Sequence, residues 1–518
     1  MPTPDPKDPL NLPEWRKWLA VGALCFFGAL ALTIEHVVGG LIPIFVLEYS
    51  GIDPKTIIDH PRNVSTSPTD NMNGLDSLSN LGGPSISQVT LLSTLPLAIN
   101  GIASFFLVPI SAAIGRRPVI LIAGILPWIG GLWAGFSTSL GSHLAARCLQ
   151  GFGVGTVEAL IPLMIQDLMF IHKRNKALAT LWSSQGILII CLGISSPFIV
   201  AQLSWRHLYW IYSGIAACAW LAIILLVPES RWERSKEELA GNEVYPLRPG
   251  KDRPHLDHEM YGRRTRWTDF GIFNIPLRWS SAVSTLWNSV RCIIFPNIIW
   301  IIALSSVASG AFGAFSQTQA AVLLAAGWDF KTLGLAGLTM IAATPFILLS
   351  AHAVDMVGSW MARRNGGQRE PEFLLPTLLV PVIISIVGFV VYSYGAANIA
   401  TVSSIVILTA FFLMTYGGGT ASTILTSYLI ESHPDIAASV LVTVSSLRHL
   451  VGFLLNFRAT DWIKSVGFIR LFSIYSSIFL AIAVFGMVIY FRGKQWRAWG
   501  NGKIRETADR GMLNGEKV

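Results

Sequence analysis

The sequence predicts an all-α membrane protein with twelve transmembrane helices in two six-helix bundles. Three observations lead to this fold class. The chain is 52% hydrophobic and 13% charged, whereas about 25% of the residues in an average soluble domain are charged. Apolar runs of about 20 residues, long enough to cross a bilayer as helices, recur along nearly the whole chain. Basic residues fall in short turns between these runs, as in membrane proteins of defined topology.

The apolar runs form two sets of six, separated by a polar stretch. The predicted spans are 18–47, 88–113, 118–137, 143–165, 177–200 and 207–227, followed by 294–318, 332–354, 373–393, 399–428, 437–457 and 468–491. The predicted domains are an N-terminal cytoplasmic tail (1–17), a first bundle (18–227), a cytoplasmic central loop (228–293), a second bundle (294–491) and a C-terminal cytoplasmic tail (492–518).

The turn Gly115-Arg116-Arg117-Pro118 joins the second and third predicted spans. Glycine and proline favour a tight reversal of the chain. Because cytoplasmic turns carry an excess of basic residues, the two adjacent arginines place this turn inside the cell. Both termini are then cytoplasmic, together with the basic turns at 173–176 and 363–369.

The first predicted outer loop, residues 49–87, is long and polar and contains Asn63-Val64-Ser65. This tripeptide is an acceptor sequence for N-glycosylation and lies on the side where glycosylation occurs. Asn63 is therefore a candidate site, which would make the chain a glycoprotein. Such tripeptides also arise by chance, so the sequence leaves the modification of Asn63 open.

The central loop mixes both charge signs with proline and glycine, which is typical of a linker between two bundles. Its last part differs, because apolar residues punctuate polar ones from Trp267 to Val290. This pattern predicts an amphipathic helix that lies in the headgroup layer before the seventh span.

Composition excludes several classes of partner. The net charge of +8 follows from the basic turns between spans, so we expect no nucleic-acid partner. All five cysteines lie within or beside apolar runs without a CxxC pair, so neither a disulfide framework nor a metal site is expected. No nucleotide-binding lysine motif is present, and no cofactor is expected. The polar, proline-rich N-terminus does not resemble a cleavable signal peptide.

Two motifs resemble those of the major facilitator superfamily of secondary transporters. Gly115-Arg116-Arg117-Pro118-Val119 resembles the end of its signature loop between spans two and three, and the run from Arg147 to Gly155, R-C-L-Q-G-F-G-V-G, resembles its fourth-span motif. Residues 8–18 and 364–372 are similar to stretches of its twelve-span fungal members grouped with drug:proton antiporters. The resemblance covers about the whole chain.

This resemblance implies the major facilitator fold, a small-molecule substrate, protons as the coupling ion and a monomer in the lipid bilayer. It also implies a multi-pass protein of the plasma membrane, although a vacuolar membrane fits the same topology. Asp355-Met356-Val357-Gly358, followed by Arg363 and Arg364, resembles the repeat of the signature loop between spans eight and nine.

Two departures from the family pattern stand out. The signature loop usually has an acidic residue three positions before its glycine, where this chain has Ala112. Since the second copy keeps Asp355, the cytoplasmic latch is expected to be asymmetric. In the fifth span, Ser196 replaces the glycine that antiporters commonly carry before the proline, here Pro197, which weakens the case for export.

Charged residues inside spans are the candidates for function, because burial in the bilayer costs several kcal/mol by most estimates. Glu35 and His36 are adjacent in the first span and point about 100° apart, so one of them is expected to reach a central cavity. Glu35 is the candidate for proton coupling, or else it forms a structural hydrogen bond. Arg147 and Glu158 in the fourth span are eleven residues apart, which would place them on one helix face about 16 Å apart. The family resemblance implies a role for Arg147 in proton coupling or in packing against the first span.

Two further candidates come from the second half. Gln317 closes the seventh predicted span, and Arg448 lies in the eleventh. Arg448 is expected either to bind an anionic substrate group or to neutralise Glu35 or Glu158. The sequence does not rank these alternatives.

Taken together, these features predict a proton-coupled secondary transporter, an antiporter that exports a small organic compound such as a drug, toxin or secondary metabolite by alternating access. The direction of export comes mainly from the resemblance. Uptake of a sugar or other solute is an alternative, because Pro228-Glu229-Ser230-Arg231-Trp232 faintly resembles a sugar-porter motif. A non-transporting membrane sensor is a third. No enzyme is predicted, since a nucleophile, a base and an orienting group do not occur together.

Overall fold

Helices account for all regular secondary structure in the residues that the structure describes. The structure, a computed structural model, describes residues 2–55, 58, 83–232, 245, 255–271, 277–366, 370–433 and 436–515. Within those ranges there is no strand. The predicted all-α class is therefore confirmed, whereas Asn63 lies outside the described residues.

We number the α-helices of the described residues in chain order. They are α1 Glu14–His36, α2 Ile42–Tyr49, α3 Ile86–Ile114, α4 Arg116–Phe136, α5 Leu140–Val154, α6 Leu160–Leu168, α7 Ile171–Gln202, α8 Trp205–Leu226, α9 His258–Tyr261, α10 Arg266–Phe270, α11 Trp279–Cys292, α12 Pro296–Ala325, α13 Gly337–Arg364, α14 Leu379–Ala397, α15 Ser404–Ser432, α16 Ala437–Asn456, α17 Ala459–Val466 and α18 Phe468–Gly515. In the same ranges, 3₁₀-helices occur at Pro9–Asn11, Val37–Leu41, Phe330–Ala336 and Pro371–Leu378.

Within the described ranges, 11 helical segments are long and apolar enough to cross a membrane. Large apolar side chains on them are exposed, for example Phe106, Ile122, Leu225, Leu349 and Ile405. Soluble monomers rarely expose so much apolar surface, whereas the lipid of a bilayer accommodates it. The prediction of a multi-pass membrane protein is confirmed.

The fourth predicted span, 143–165, is not one continuous helix, and that prediction was wrong. It consists of α5 and α6, separated by the turn at residues 155–159. In this turn the Thr156 hydroxyl donates to the Gly153 carbonyl oxygen (3.1 Å) and the Val157 N–H to the Val154 carbonyl oxygen (2.8 Å). These bonds to the third preceding residue interrupt the regular α-helical ladder. Glu158 lies in the turn, so its predicted placement on the same helix face as Arg147 was also wrong.

The predicted amphipathic helix at 267–290 forms as two helices, α10 and α11, because α10 ends at Phe270 and Gly271 follows as its C-cap. On α11, the exposed side chains Trp279, Val283, Trp287 and Val290 recur at intervals of four, four and three residues. Such spacing places them on one helix face. The headgroup location of that face stays a prediction.

The chain divides into two compact units. The first comprises Met1–His36, Ile102–Ile189 and Trp205–Leu286, and the second comprises Val37–Gly101, Ile190–Ser204 and Trp287–Val518. In the first unit, α4 packs against α5 and α8, and α1 packs against α5 and α8. In the second, α12 packs against α16 and α18, and α14 against α15 and α18. The predicted domain boundaries stay a prediction.

Candidate functional site

The signature loop turns at Gly115, between α3 and α4. Gly115 has a φ of +112°, in the region that L side chains rarely adopt. A Cβ atom there would also lie 2.5 Å from Oε2 of Glu229. Glycine is therefore required at this position for two reasons, the backbone conformation and the close approach of an acidic side chain.

Glu229 holds this loop through the main chain. Its Oε1 accepts hydrogen bonds from the backbone N–H groups of Arg116 (3.0 Å), Ser230 (2.9 Å) and Arg231 (2.9 Å), and its Oε2 from that of Arg117 (3.2 Å). Burial raises the pKa of Glu229, while hydrogen bonds from the backbone and the charge of Arg116 act in the opposite direction. The carboxyl group thus fastens the start of α4 to the chain that follows α8.

The two arginine side chains add further links. Arg116 Nε lies 3.0 Å from Oδ2 of Asp167 at the end of α6. Arg117 donates to the carbonyl oxygens of Ile224 (2.7 Å), in the last turn of α8, and of Val227 (2.9 Å), the residue after that helix. The structure therefore brings the predicted residues Gly115, Arg116 and Arg117 into one cluster with Asp167 and Glu229. We call this cluster the cytoplasmic latch, after the side of the membrane that the sequence predicts for it.

Glu229 holds the signature loop in place, but the sequence analysis did not name it as a candidate. Its signal was present in Pro228-Glu229-Ser230-Arg231-Trp232, which served only to raise the possibility of sugar uptake. The motif also supplies Arg231, whose Nη1 donates to the Ala113 carbonyl oxygen (2.8 Å) just before the latch glycine.

The predicted second copy of the loop lies on α13, in the second unit. Asp355 is exposed and Gly358 is buried within the helix, while Arg363 and Arg364 are exposed in its last turn. Arg364 lies over the ring of Trp360, 3.9 Å from its centroid. The predicted asymmetric latch stays a prediction for Asp355.

Ion pairs join the start of the ninth span to α18, and the sequence analysis did not predict them. Glu372 pairs with Arg497 (3.0 Å) and Glu370 with Lys494 (2.5 Å). The Glu372 side chain is buried, whereas that of Lys494 is largely exposed, so the first pair is the one shielded from solvent.

Arg147 occupies the interior of the first unit and is fully buried. Its Nη1 donates to the Ile34 carbonyl oxygen (2.6 Å) and to Oε1 of Gln150 (2.7 Å), and its Nη2 donates to the Glu35 carbonyl oxygen (2.9 Å). The α-helix of the first span ends at His36, where the 3₁₀ turn Val37–Leu41 begins. Carbonyl groups in the last turn of a helix lack partners within it. The guanidinium fork binds two of them.

The other candidates of the first half differ in exposure. Glu35 is 3% exposed, whereas the adjacent His36 is exposed, with its Nδ1 2.9 Å from the Leu32 carbonyl oxygen. The two side chains therefore lie on different faces, as their adjacency predicts. Glu158 is half-buried in the turn between α5 and α6.

In the second unit, Gln317 on α12 is buried and donates through Nε2 to Oδ1 of Asn456 (2.7 Å), the last residue of α16. Arg448 is half-buried on α16, and its Nη2 lies 3.5 Å from Nε2 of His449. Gln317 therefore links two helices of one unit.

Gly313→Ala is expected to disturb the Gln317 link. A Cβ atom at Gly313 would lie 1.8 Å from Nδ2 of Asn456 and 2.6 Å from its Cγ, so the asparagine must move away. Overpacking of this kind typically costs about 1–3 kcal/mol, which thermal unfolding of the purified protein in detergent measures. Gly418→Ala is the matched control, because nothing lies within 4 Å of its Cβ position. Equal unfolding temperatures for both variants would contradict the prediction.

Metal-ligating side chains do not gather in the described residues, where no three His, Cys, Asp or Glu residues stand close enough to hold an ion.

Comparison with known proteins identifies the family. Residues 19–455 match the sequence profile of the Major Facilitator Superfamily. An uncharacterized MFS-type transporter of Schizosaccharomyces pombe is 20% identical, with 96% of this chain and 87% of that protein covered. A probable efflux pump, mfs2, of Aspergillus flavus is 25% identical, with 82% and 96% covered.

A solved structure supports the same assignment. The xylose transporter XylE from E. coli, in a partially occluded inward-open conformation, superimposes with a TM-score of 0.60 over 91% of this chain and 97% of XylE, at 15% identity. At that identity the similarity concerns the fold. Together with the helical membrane architecture and the match over nearly the whole chain, it shows that the protein belongs to the Major Facilitator Superfamily and is a membrane transporter rather than an enzyme.

Proposed function

We propose that the protein is a proton-coupled secondary transporter that exports a small organic compound by alternating access. The observation that carries this proposal is the binding of Arg147 to the Ile34 and Glu35 carbonyl groups, at the end of the first helix. The buried guanidinium of Arg147 thus binds the backbone of Glu35, whose carboxyl side chain is also buried. Ionisable groups at membrane depth are costly and usually serve transport.

Proton coupling requires a group whose charge changes during the cycle. We assign this role to Glu35, whose carboxyl side chain is 3% exposed in the first span. Glu35 also directly precedes His36, the last residue of α1, after which the 3₁₀ turn Val37–Leu41 begins. A change of charge at Glu35 can thus bias the conformation of a helix end that Arg147 holds.

The direction of transport is supported by the relatives. One of them is named a probable efflux pump and is 25% identical over most of both chains. We therefore propose export of a drug, toxin or secondary metabolite across the plasma membrane by a monomeric antiporter. Uptake of a solute is the second candidate, since the sugar-porter-like segment after α8 supplies Glu229 to the cytoplasmic latch.

Untargeted mass spectrometry of cells and medium tests the direction without a guess about the substrate. The gene is deleted and then restored in its host, and both compartments are compared. We expect one compound to accumulate in the deletion strain and to fall in its medium, with reversal on restoration. A nutrient that remains in the medium of the deletion strain would instead show uptake, and the absence of any difference would favour a sensor.

Glu35→Gln tests coupling once a transported compound is known. The amide keeps the size of the side chain but cannot take up and release a proton. Transport driven by a pH gradient should therefore fall to the level of a vector control. The variant should still bind the compound. Glu259→Gln, which removes an exposed carboxylate of the central loop, is the control. Unchanged proton-driven transport in Glu35→Gln would eliminate Glu35 as the coupling residue.

A further inference from the structure

The N-terminal tail folds back on itself around a buried carboxylate. Asp8 is fully buried, and its Oδ2 accepts hydrogen bonds from the backbone N–H (2.8 Å) and the hydroxyl (3.0 Å) of Thr3, while its Oδ1 accepts one from the Leu10 N–H (2.9 Å). Asn11 donates through Nδ2 to the carbonyl oxygens of Thr3 (2.9 Å) and Asp5 (2.8 Å). The tail is therefore an ordered loop rather than a free end.

Residues of the central loop donate hydrogen bonds to backbone carbonyl groups of this folded tail. Arg264 donates through Nη1 to the carbonyl oxygens of Pro6 (3.3 Å) and Asp8 (3.1 Å). The Asp257 N–H donates to the Pro4 carbonyl oxygen (3.1 Å). Because these acceptors are backbone atoms, they are correctly placed only while the tail keeps its turn around Asp8.

Asp269 connects this contact to the latch. Its Oδ1 accepts from Nε of Arg264 (2.5 Å), and its Oδ2 pairs with Nη2 of Arg16 (3.0 Å) at the start of α1. Its carbonyl oxygen accepts the backbone N–H of Glu229 (2.9 Å), and its own side chain is 5% exposed. Glu229 in turn holds the N–H groups of Arg116 and Arg117.

We propose that residues 3–11, Arg264 and Asp269 form a clasp that controls the opening of the cytoplasmic latch. Arg264 and Asp269 are its positioning residues, because they act on the latch through Glu229. The inference rests on the proposed function in one respect, namely that the latch moves during alternating access. When the tail is docked, Asp269 holds Glu229 in place. When the tail is released, Arg264 loses its carbonyl partners and Glu229 becomes free to let the latch open.

Hydrogen exchange of the full-length protein in lipid nanodiscs tests the clasp, because exchange reports local opening without a substrate. Arg264→Ala should increase the exchange of the Arg116 and Arg117 amides about tenfold, as expected for local opening made easier by the loss of several hydrogen bonds. Arg263→Ala, which removes the neighbouring exposed arginine, should leave this exchange unchanged. The segment of the second unit at residues 371–397 is the internal control for a general loss of stability.

A second variant acts from the tail side. Asp8→Ala removes the acceptor for Thr3 and Leu10, so it should free residues 3–11 and increase exchange at Arg116 and Arg117 to a similar extent. If Arg264→Ala or Asp8→Ala fails to fold, a variant that lacks residues 2–12 takes its place in the same measurement. If the tail exchanges freely while the Arg116 and Arg117 amides keep wild-type protection, the tail is merely docked and the clasp is refuted. This outcome is independent of whether the protein exports, imports or senses a compound.

Discussion

Arg147→Ala is expected to lower the free energy of unfolding by about 3 kcal/mol or more, since a hydrogen bond to a charged group contributes about 1.5–3 kcal/mol. The substitution leaves the Ile34 and Glu35 carbonyl groups and the Gln150 side chain without their shared donor in a fully buried place. Thermal unfolding of the purified protein in detergent measures the loss. A wild-type unfolding temperature for Arg147→Ala would refute the structural role of the guanidinium.

Arg147→Lys separates charge from geometry. Lysine keeps the positive charge but lacks the planar fork that binds two carbonyl groups at once. We expect this variant to fold with intermediate stability and to lose transport, whereas Arg470→Ala, which removes an exposed arginine at the start of α18, should resemble the wild type. Full transport by Arg147→Lys would show that charge alone suffices.

Glu229→Ala should open the cytoplasmic latch, with an effect second in size to that of Arg147→Ala. Four backbone N–H groups lose their acceptor. We expect a destabilisation of about 2 kcal/mol, since an unsatisfied buried donor costs about 1–3 kcal/mol. Thermal unfolding and protease sensitivity around residues 111–119 measure the effect. Cleavage and unfolding equal to those of the wild type would contradict it.

The contribution of Glu229 to stability is also expected to depend on pH, in a direction that follows from its pKa. Because burial raises its pKa in the folded protein, the folded state holds the proton more tightly than the unfolded state does. Its contribution to stability is complete below the unfolded pKa of about 4.3 and is lost as the pH rises through the folded value. Glu229→Gln cannot ionise, so its unfolding temperature should fall less than that of the wild type over this interval. An identical slope in both proteins would contradict the assignment.

Local sequence patterns predicted the helices well and the bonds between them poorly. Apolar runs located nearly every span, because length and hydropathy are properties of a single segment. The break at residues 155–159 was missed, since a hydroxyl and a set of short-range hydrogen bonds interrupt an apolar run without changing its composition. The 3₁₀ turn Val37–Leu41 within the first span was missed as well, although Gly39 and Gly40 lie there.

The candidate site shows the same division. Gly115, Arg116, Arg117 and Arg147 were found from motifs, but their partners are distant in sequence. Arg147 binds a carbonyl group 113 residues away, and Arg116 donates to an acid that is also 113 residues away. Periodicity carries no information on such pairs. The acid at Glu229 was visible only as part of a motif with another interpretation, and Glu372 lay in the family-like stretch 364–372, which did not point to Arg497 as its partner.

The hydrogen bonds of Glu229 to the signature loop determine which positions of that loop can change during evolution. The acid binds peptide N–H groups, which every residue except proline supplies, so the hold does not depend on which side chains stand at positions 116 and 117. The arginine side chains add separate contacts, that of Arg116 to Asp167 and that of the buried Arg117 to carbonyl groups at the end of α8. We therefore expect exchange of either arginine to remove those side-chain contacts but to keep the backbone hydrogen bonds, which need the glycine before them and the acid opposite.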